Sequence, residues 1–240
     1  MSVKTWWWAV GIKSKLSRTK SRSVAVTDQG IIKKFTDDPD FPFLVSFPRT
    51  GSHWLRMIME LYFERPSLVR IFYYPDRKNY LCLHTHDLNL DVFRKNVIYL
   101  YRDPIPTIYS QMKYENENLN DIAKIKYWAD LYKQHLKKWL IDEIVSQKKV
   151  ILRYENMLKD FENEFLKLVL FFGQTLNPKK LAEVRARIDK REVKKKTTHD
   201  KQVVQLSAAY SIDRDKFSRR YGNMIEDIIF GNSPEIKEFF

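Results

Sequence analysis

Residues 43–61 read FLVSFPRTGSHWLRMIMEL. The apolar run 43–47 predicts a buried strand. Trp54, Ile58, Leu61 and Tyr62 then recur at helical spacing, and only residues 48–52 separate strand from helix. A turn this tight leaves the helix's first N–H groups without intrahelical partners, and those groups and the positive helix end face one spot. Arg49 adds a fixed charge there, and Thr50 and Ser52 add hydroxyl donors. The stretch fits a cradle for a phosphate-like anion. It equally fits an ordinary strand-to-helix turn in which Gly51 serves only the backbone.

The rest of the chain repeats the alternation. Residues 80–85, 96–101 and 150–154 predict further short strands. Helical patterns cover 52–64, 120–146, 158–172 (ending at Gly173) and 178–188, and another starts after Asp103, a candidate N-cap with Pro104 behind it. Strands alternating with helices predict an α/β fold: a three-layer α/β/α arrangement with a central parallel sheet and a strand–loop–helix phosphate-binding motif. In such a sheet ligands sit beyond the carboxyl ends of the strands, so the loops after Phe47, Thr85, Tyr101 and Tyr154 are expected to converge.

The length of 240 residues suits one domain, expected over 41–240. Residues 1–40 read as a basic arm in which Trp6, Trp7 and Trp8 lie among Lys4, Lys13, Lys15, Arg18 and Lys20. Such an arm either touches a lipid interface or packs its Trp residues on the core. Residues 189–220 form a second basic stretch, either a solvated loop or a mobile segment that covers a cofactor or substrate. Lys and Arg total 43 against 30 Asp and Glu, a net charge of +13, which favours an anionic partner: nucleotide, nucleic acid, membrane surface, or a sulfated or phosphorylated substrate. Cys82 is the only cysteine, so no intrachain disulfide and no cysteine-based metal cluster can form. With no apolar run near membrane-spanning length, a cytoplasmic protein is expected, membrane-peripheral if the arm binds lipid.

A second motif reads IYLYRDPIPTIYS, residues 98–110. It places Arg102 at a strand's carboxyl end and Ser110 two turns into the next helix. Together the two motifs resemble those of the sulfotransferases that use 3′-phosphoadenosine 5′-phosphosulfate (PAPS). Residues 48–54, PRTGSHW, resemble the family's strand-PKSGTTW-helix loop for the 5′-phosphosulfate. Arg102 and Ser110 keep the separation of its 3′-phosphate motif. Tyr154-Glu155-Asn156-Met157, with Phe171-Phe172-Gly173 downstream, resembles its Tyr-Glu-Asp-Met segment. Leu81-Cys82-Leu83-His84-Thr85-His86 resembles its strand ending in Lys-Thr-His.

The resemblance implies a transferase that moves a sulfuryl group from PAPS to an acceptor hydroxyl by in-line displacement, leaving adenosine 3′,5′-bisphosphate (PAP), with no metal. It implies His86 as base, a role that a near-neutral pKa suits. Arg49 is implied at the leaving 5′-phosphate, with Thr50, Gly51, Ser52 and His53 as further contacts to that group. Trp54 is implied as a stacking partner for adenine, with a core aromatic as the alternative; Tyr154 is implied near adenine. Arg102 and Ser110 are implied at the 3′-phosphate. Arg219-Arg220-Tyr221-Gly222 is the nearest candidate for the family's C-terminal Arg-Lys-Gly segment, and Lys194–Lys196 is an alternative. Arg49, His53 and His84 depart from the family's Lys, Thr and Lys. The acceptor is open among glycans, lipid-linked glycans, phenols, peptide tyrosine and other alcohols. A P-loop-type nucleotide kinase would require Gly-x4-Gly-Lys-Ser/Thr, which the loop lacks. A basic nucleic-acid- or membrane-binding protein is the non-enzymatic alternative, although no nucleic-acid recognition module is visible and no specific nucleic acid is expected.

Overall fold

The computed structural model describes residues 22–142, 146–198 and 207–240. Val24–Ala25 (β1) and Gln29–Thr36 (α1) lead to Phe43–Ser46 (β2), whose residues are all buried. Ser52–Phe63 (α2), Arg70–Ile71 (β3), Leu83–Thr85 (β4), Asn96–Tyr101 (β5) and Pro104–Tyr114 (α3) follow. Ile122–Leu136 (α4) passes into a π-helical turn, Lys137–Ile141, and then Lys148–Arg153 (β6). The remaining helices are Tyr154–Lys159 (α5), Phe161–Phe171 (α6), Pro178–Arg187 (α7), Lys190–Lys196 (α8), Ala208–Phe230 (α9) and Pro234–Lys237 (α10).

The main sheet has the order β4-β2-β5-β6, and every pair is parallel. Side chains alternate between faces along a strand, so each face builds its own core. Leu44, Ile98, Leu100 and Leu152 pack with Leu55, Ile58, Phe165 and Leu181 from α2, α6 and α7. Phe43, Val45, Val97 and Tyr99 pack on the other face with Ile108, Tyr132, Trp139 and Ile225. Helices thus cover both faces, which is why β2 and β5 read as continuous apolar runs rather than alternating ones. Fully buried residues such as Leu44 and Ile98 each contribute about 1.5–3 kcal/mol through removal from water. The expected three-layer α/β/α arrangement is the one observed.

Several boundaries differ from expectation. Of 80–85 only Leu83–Thr85 is strand, because Leu81 N–H bonds to the Pro66 carbonyl and Leu68 N–H to that of Cys82, an irregular crossing that takes up the preceding ladder positions. The predicted helix over 158–172 is two helices, since Asp160 ends α5 and its carboxylate accepts from Asn163 N–H at the start of α6. Gly173 ends α6 with φ +66°, as a helix C-terminus requires. Asp103 stands at the N-cap of α3 but does not cap it with its side chain; that carboxylate pairs with Arg153 instead, at 2.8 Å. Within 189–220 the described residues are largely helix: α8, whose Lys196 is buried with its ammonium on the Phe72 carbonyl, and the first half of α9, which packs on α3 and α4. Trp6, Trp7 and Trp8 lie outside the described residues. The rest of the expected arm, from residue 22, pairs β1 with β3 in a two-stranded antiparallel ribbon. There α1 sets Ile31, Ile32 and Phe35 against Phe41, Leu68, Ile71 and Tyr80.

Candidate active site

The carboxyl ends of β2, β4, β5 and β6 lie along one edge of the sheet. The loop after β2 turns through two left-handed residues, Arg49 at φ +70° and Gly51 at φ +97°. A non-glycine residue there costs about 1–2 kcal/mol, so the surroundings must hold Arg49 in place. Gly51 stands at the N-cap of α2 and offers no side-chain acceptor. The first intrahelical bond runs from Leu55 N–H to the Gly51 carbonyl, so the N–H groups of Ser52, His53 and Trp54 precede the ladder. A Cβ on Gly51 would lie 2.7 Å from Cδ2 and Cε2 of Tyr154, so only glycine allows that ring to seat on the loop. Thr50 differs from expectation: its hydroxyl donates to the Phe47 carbonyl (2.9 Å), fully buried, and braces the turn instead of facing a ligand.

Arg102 sits at the end of β5 in a frame from three elements. Tyr132 of α4 holds its backbone on both sides, the phenol oxygen accepting from Arg102 N–H (3.1 Å) and the phenol O–H donating to the Arg102 carbonyl (2.6 Å). The guanidinium donates from Nη1 to the Arg49 carbonyl (3.2 Å) and lies 4.6 Å over the Tyr154 ring. Its Nε is buried with no hydrogen-bond acceptor and stands 3.8 Å from Glu155 Oε1. Glu155 also accepts from the Asp103 N–H and lies 3.6 Å from Arg153 Nε, so a chain of alternating charge orients Arg102. Burial, reinforced by Asp103, pushes the Glu155 carboxyl up from its ordinary range, against the pull of Arg102.

Arg49 reaches across the site. Its Nε donates to Ser110 Oγ (3.2 Å) on α3, and its guanidinium lies 4.9 Å over the Tyr114 ring. Sequence reasoning placed Arg49 at one phosphate and Ser110 at the other; the fold brings the two into direct contact. Trp54 is half-buried, donates from Nε1 to the Ile188 carbonyl (3.1 Å), and packs edge-on against Tyr154 and tilted against Phe161.

At the end of β4, His86 Nδ1 lies 2.7 Å from the Ser46 carbonyl. A carbonyl only accepts, so Nδ1 carries the proton and Nε2 keeps its lone pair. Burial lowers the His86 pKa, and the charges of Arg49 and Arg56 add to that, outweighing the Ser46 bond. The imidazole is therefore neutral at neutral pH. His84 is also neutral, held well below its ordinary pKa by burial, and its Nε2 pairs with Ser46 Oγ (3.0 Å). The backbone of His86 is fixed from α4 as well: His135 Nε2 donates to the His86 carbonyl (2.9 Å), and Tyr99 O–H donates to His135 Nδ1 (2.9 Å). Burial brings His135 down to about 3, which keeps it neutral for that role.

His53 faces Arg70 and the Phe72 ring. Burial, then the charges of Arg56, Arg70 and Arg49, bring its pKa down to about 2, so Nε2 accepts from Arg70 Nη1 at 2.7 Å. Arg219 and Arg220 are not brought to the loop: the first donates to the Asp215 carbonyl, and the second to Asn120 Oδ1 (2.9 Å). Within the Lys194–Lys196 run, Lys195 pairs with Glu192 and Lys196 with the Phe72 carbonyl.

Tyr132, His135, Tyr99 and Arg70, which contact Arg102, His86 and His53 directly or through one another, were not foreseen from the sequence. Three of them lie on apolar stripes or runs where core packing gives the same pattern. The one usable signal was His135, a titratable group three residues after Tyr132 on a buried face.

The family model described as "Sulfotransferase domain" matches residues 80–223, more than half of the chain and inclusive of His86, Arg102, Ser110 and Tyr154. Among solved structures, mouse sulfotransferase SULT7A1 complexed with PAP superposes with a TM-score of 0.57 at 18% identity, over 88% of this chain and 93% of that chain. Retinol dehydratase in a complex with retinol and PAP gives a TM-score of 0.50 at 14% identity, over 88% and 96%. At those identities the superpositions speak for the fold. No curated protein gives a significant sequence match. The loop at residues 48–54 precedes the matched segment, so its reading rests on its own geometry. By the match over residues 80–223, this chain belongs to the sulfotransferase domain family.

Proposed function

We propose that this chain transfers a sulfuryl group from PAPS to an acceptor hydroxyl, with His86 as the base. The observation that carries the reading is the fixed tautomer of His86, neutral and with a free Nε2 lone pair, at the strand end whose neighbour β2 leads into the loop at residues 48–51. The residues suit such a donor. Gly51 lets the Tyr154 ring seat directly on the loop, and Arg102 holds a buried N–H with no acceptor.

Bound PAPS supplies the sulfuryl group, whose bond to the 5′-phosphate oxygen breaks as the acceptor oxygen bonds to sulfur. His86 Nε2 takes the acceptor's proton, and its Nδ1–H bond to Ser46 steadies the imidazolium that results. Arg49 and the N–H groups ahead of α2 meet the charge that builds on the leaving phosphate. Being permanently protonated, Arg49 stabilises that charge without donating its proton. Arg102 and Ser110 would hold the 3′-phosphate, and Tyr154, which lies under Arg102 with Trp54 at its edge, would lie near adenine. The acceptor is a hydroxyl compound, such as a glycan, lipid-linked glycan, phenol or other alcohol.

The test is His86→Ala, assayed with labelled PAPS against a panel of hydroxyl acceptors and by PAP titration. Turnover falls by about 10²–10⁴-fold, while PAP binds as before. Turnover within a few-fold of wild type would remove His86 from the base role.

A further inference from the structure

We propose that Arg70, held against the loop by His53, binds the oxyanion of the transferring sulfuryl group. The proposal rests on the sulfotransferase reading above.

Arg70 is fixed in place although it belongs to a strand of two residues. Its carbonyl accepts from Arg56 Nη2 (2.6 Å), and β1 pairs with it at Ala25. The chain on both sides is pinned by the buried Glu60 carboxylate, which accepts from the N–H groups of Ser67, Phe72 and Tyr73 at 2.9, 2.9 and 3.0 Å. Its guanidinium meets a residue of the phosphosulfate loop, His53, through one N–H. A guanidinium has five N–H donors, so this contact leaves four for another acceptor. Among the described residues no carboxylate forms a salt bridge with Arg70.

Among the neighbours Arg56 adds positive charge, with the buried Glu60 carboxylate, bound to three backbone N–H groups, as its nearby counter-charge. Arg56, buried in the first turns of α2, likewise has no carboxylate within salt-bridge distance among the described residues, and its Nε has no hydrogen-bond acceptor. His84 and His53 stand where the family pattern has Lys and Thr. His84 is committed to Ser46, and His53 gives its lone pair to Arg70. His84 thus brings no charge to this corner, and Arg70 brings a permanent one with a planar fork suited to two oxygens of one anion. The 5′-phosphate already has Arg49 and the loop N–H groups, which leaves the sulfuryl oxygens for Arg70.

PAPS and PAP differ by the sulfuryl group alone, so their paired titration isolates this contact. Calorimetry on the full chain would compare wild type, Arg70→Ala and Arg70→Lys, with melting temperatures taken without ligand as the check on folding. In Arg70→Ala, PAPS affinity falls at least about tenfold, while PAP affinity stays within about twofold. Arg70→Lys keeps the charge, loses the fork, and falls between the two; it carries the test if the alanine variant does not fold. Equal losses for both ligands, or no loss for either, overturn the proposal. An unchanged PAPS affinity with a raised KM only for negatively charged acceptors also overturns it, by assigning Arg70 to the acceptor. Wild-type protein that binds neither nucleotide would instead refute the sulfotransferase reading itself.

Discussion

Gly51→Ala is the perturbation whose consequence the structure defines most closely. Two separable costs arise. At φ +97° an alanine is strained whatever the space around it, for about 1–2 kcal/mol. Its Cβ also meets Tyr154 Cδ2 and Cε2 at 2.7 Å, so the ring must leave its seat. That ring lies under the Arg102 guanidinium at 4.6 Å and edge-on to Trp54 at 5.8 Å. Displacing it forfeits about 0.5–1 kcal/mol of cation–π attraction and about 0.5–1.5 kcal/mol of aromatic pairing. The sum is about 2–4.5 kcal/mol, a fall in Tm of about 4–18 °C for a chain of this size. A double-mutant cycle with Tyr154→Ala separates the parts, since truncating the ring removes the collision but not the backbone strain. In the Tyr154→Ala background Gly51→Ala then costs only about 1–2 kcal/mol. Urea unfolding of the four proteins measures this. A neutral Gly51→Ala, or a cost undiminished in the Tyr154→Ala background, would refute the claim that the ring rests on the loop.

Other outcomes follow from the same contacts. Tyr132→Phe strands the part-buried N–H and carbonyl of Arg102, which costs about 1–3 kcal/mol, and it weakens PAP binding because Arg102 loses its backbone anchor; unchanged unfolding and binding would show that the clamp is idle. The His86 pKa lies below its ordinary 6.5, and the base works deprotonated, so kcat/KM rises with pH through a midpoint below 6.5 and is flat above neutrality. A midpoint above 6.5 in the pH–rate profile would contradict that environment. His53 at about 2 and His135 at about 3 are neutral in the fold but protonate near 6.5 when unfolded. Their stabilisation is complete above 6.5 and is lost progressively as pH falls, by about 2–4 kcal/mol between pH 7 and pH 5 for the pair. Urea midpoints that do not move over that interval would show that neither is buried as described.

The strands and the loop were legible because their physics is local. Residues 43–47 and 96–101 are buried on both faces, and unbroken apolar runs are how such strands look in sequence. Arg102 and Ser110 were singled out by the resemblance, and the fold places them where it expects, at the end of β5 and in the second turn of α3. The rest depends on contacts between distant segments. His135 and Tyr132 sit on a helix face that core packing alone would explain, and only the fold reveals that both reach site backbone. Thr50 had the right chemistry for a ligand, but its hydroxyl has a nearer acceptor in the Phe47 carbonyl. Arg49 meeting Ser110 joins residues 61 positions apart, which no spacing rule foresees. The mixed face of α9 hid a long helix within a stretch that read as a basic loop or covering segment.

The central claim is that the loop after β2 and the ends of β5 and β6 form one site for a nucleotide phosphorylated at both the 5′ and 3′ positions. Calorimetric titration with PAP and with adenosine 5′-phosphate, in EDTA, on wild type and Arg102→Ala, tests it most directly. Wild type binds PAP without metal and at least about tenfold more tightly than the monophosphate, and Arg102→Ala removes most of that preference. No PAP binding, equal affinity for the two nucleotides, or a preference that survives loss of Arg102 would contradict it.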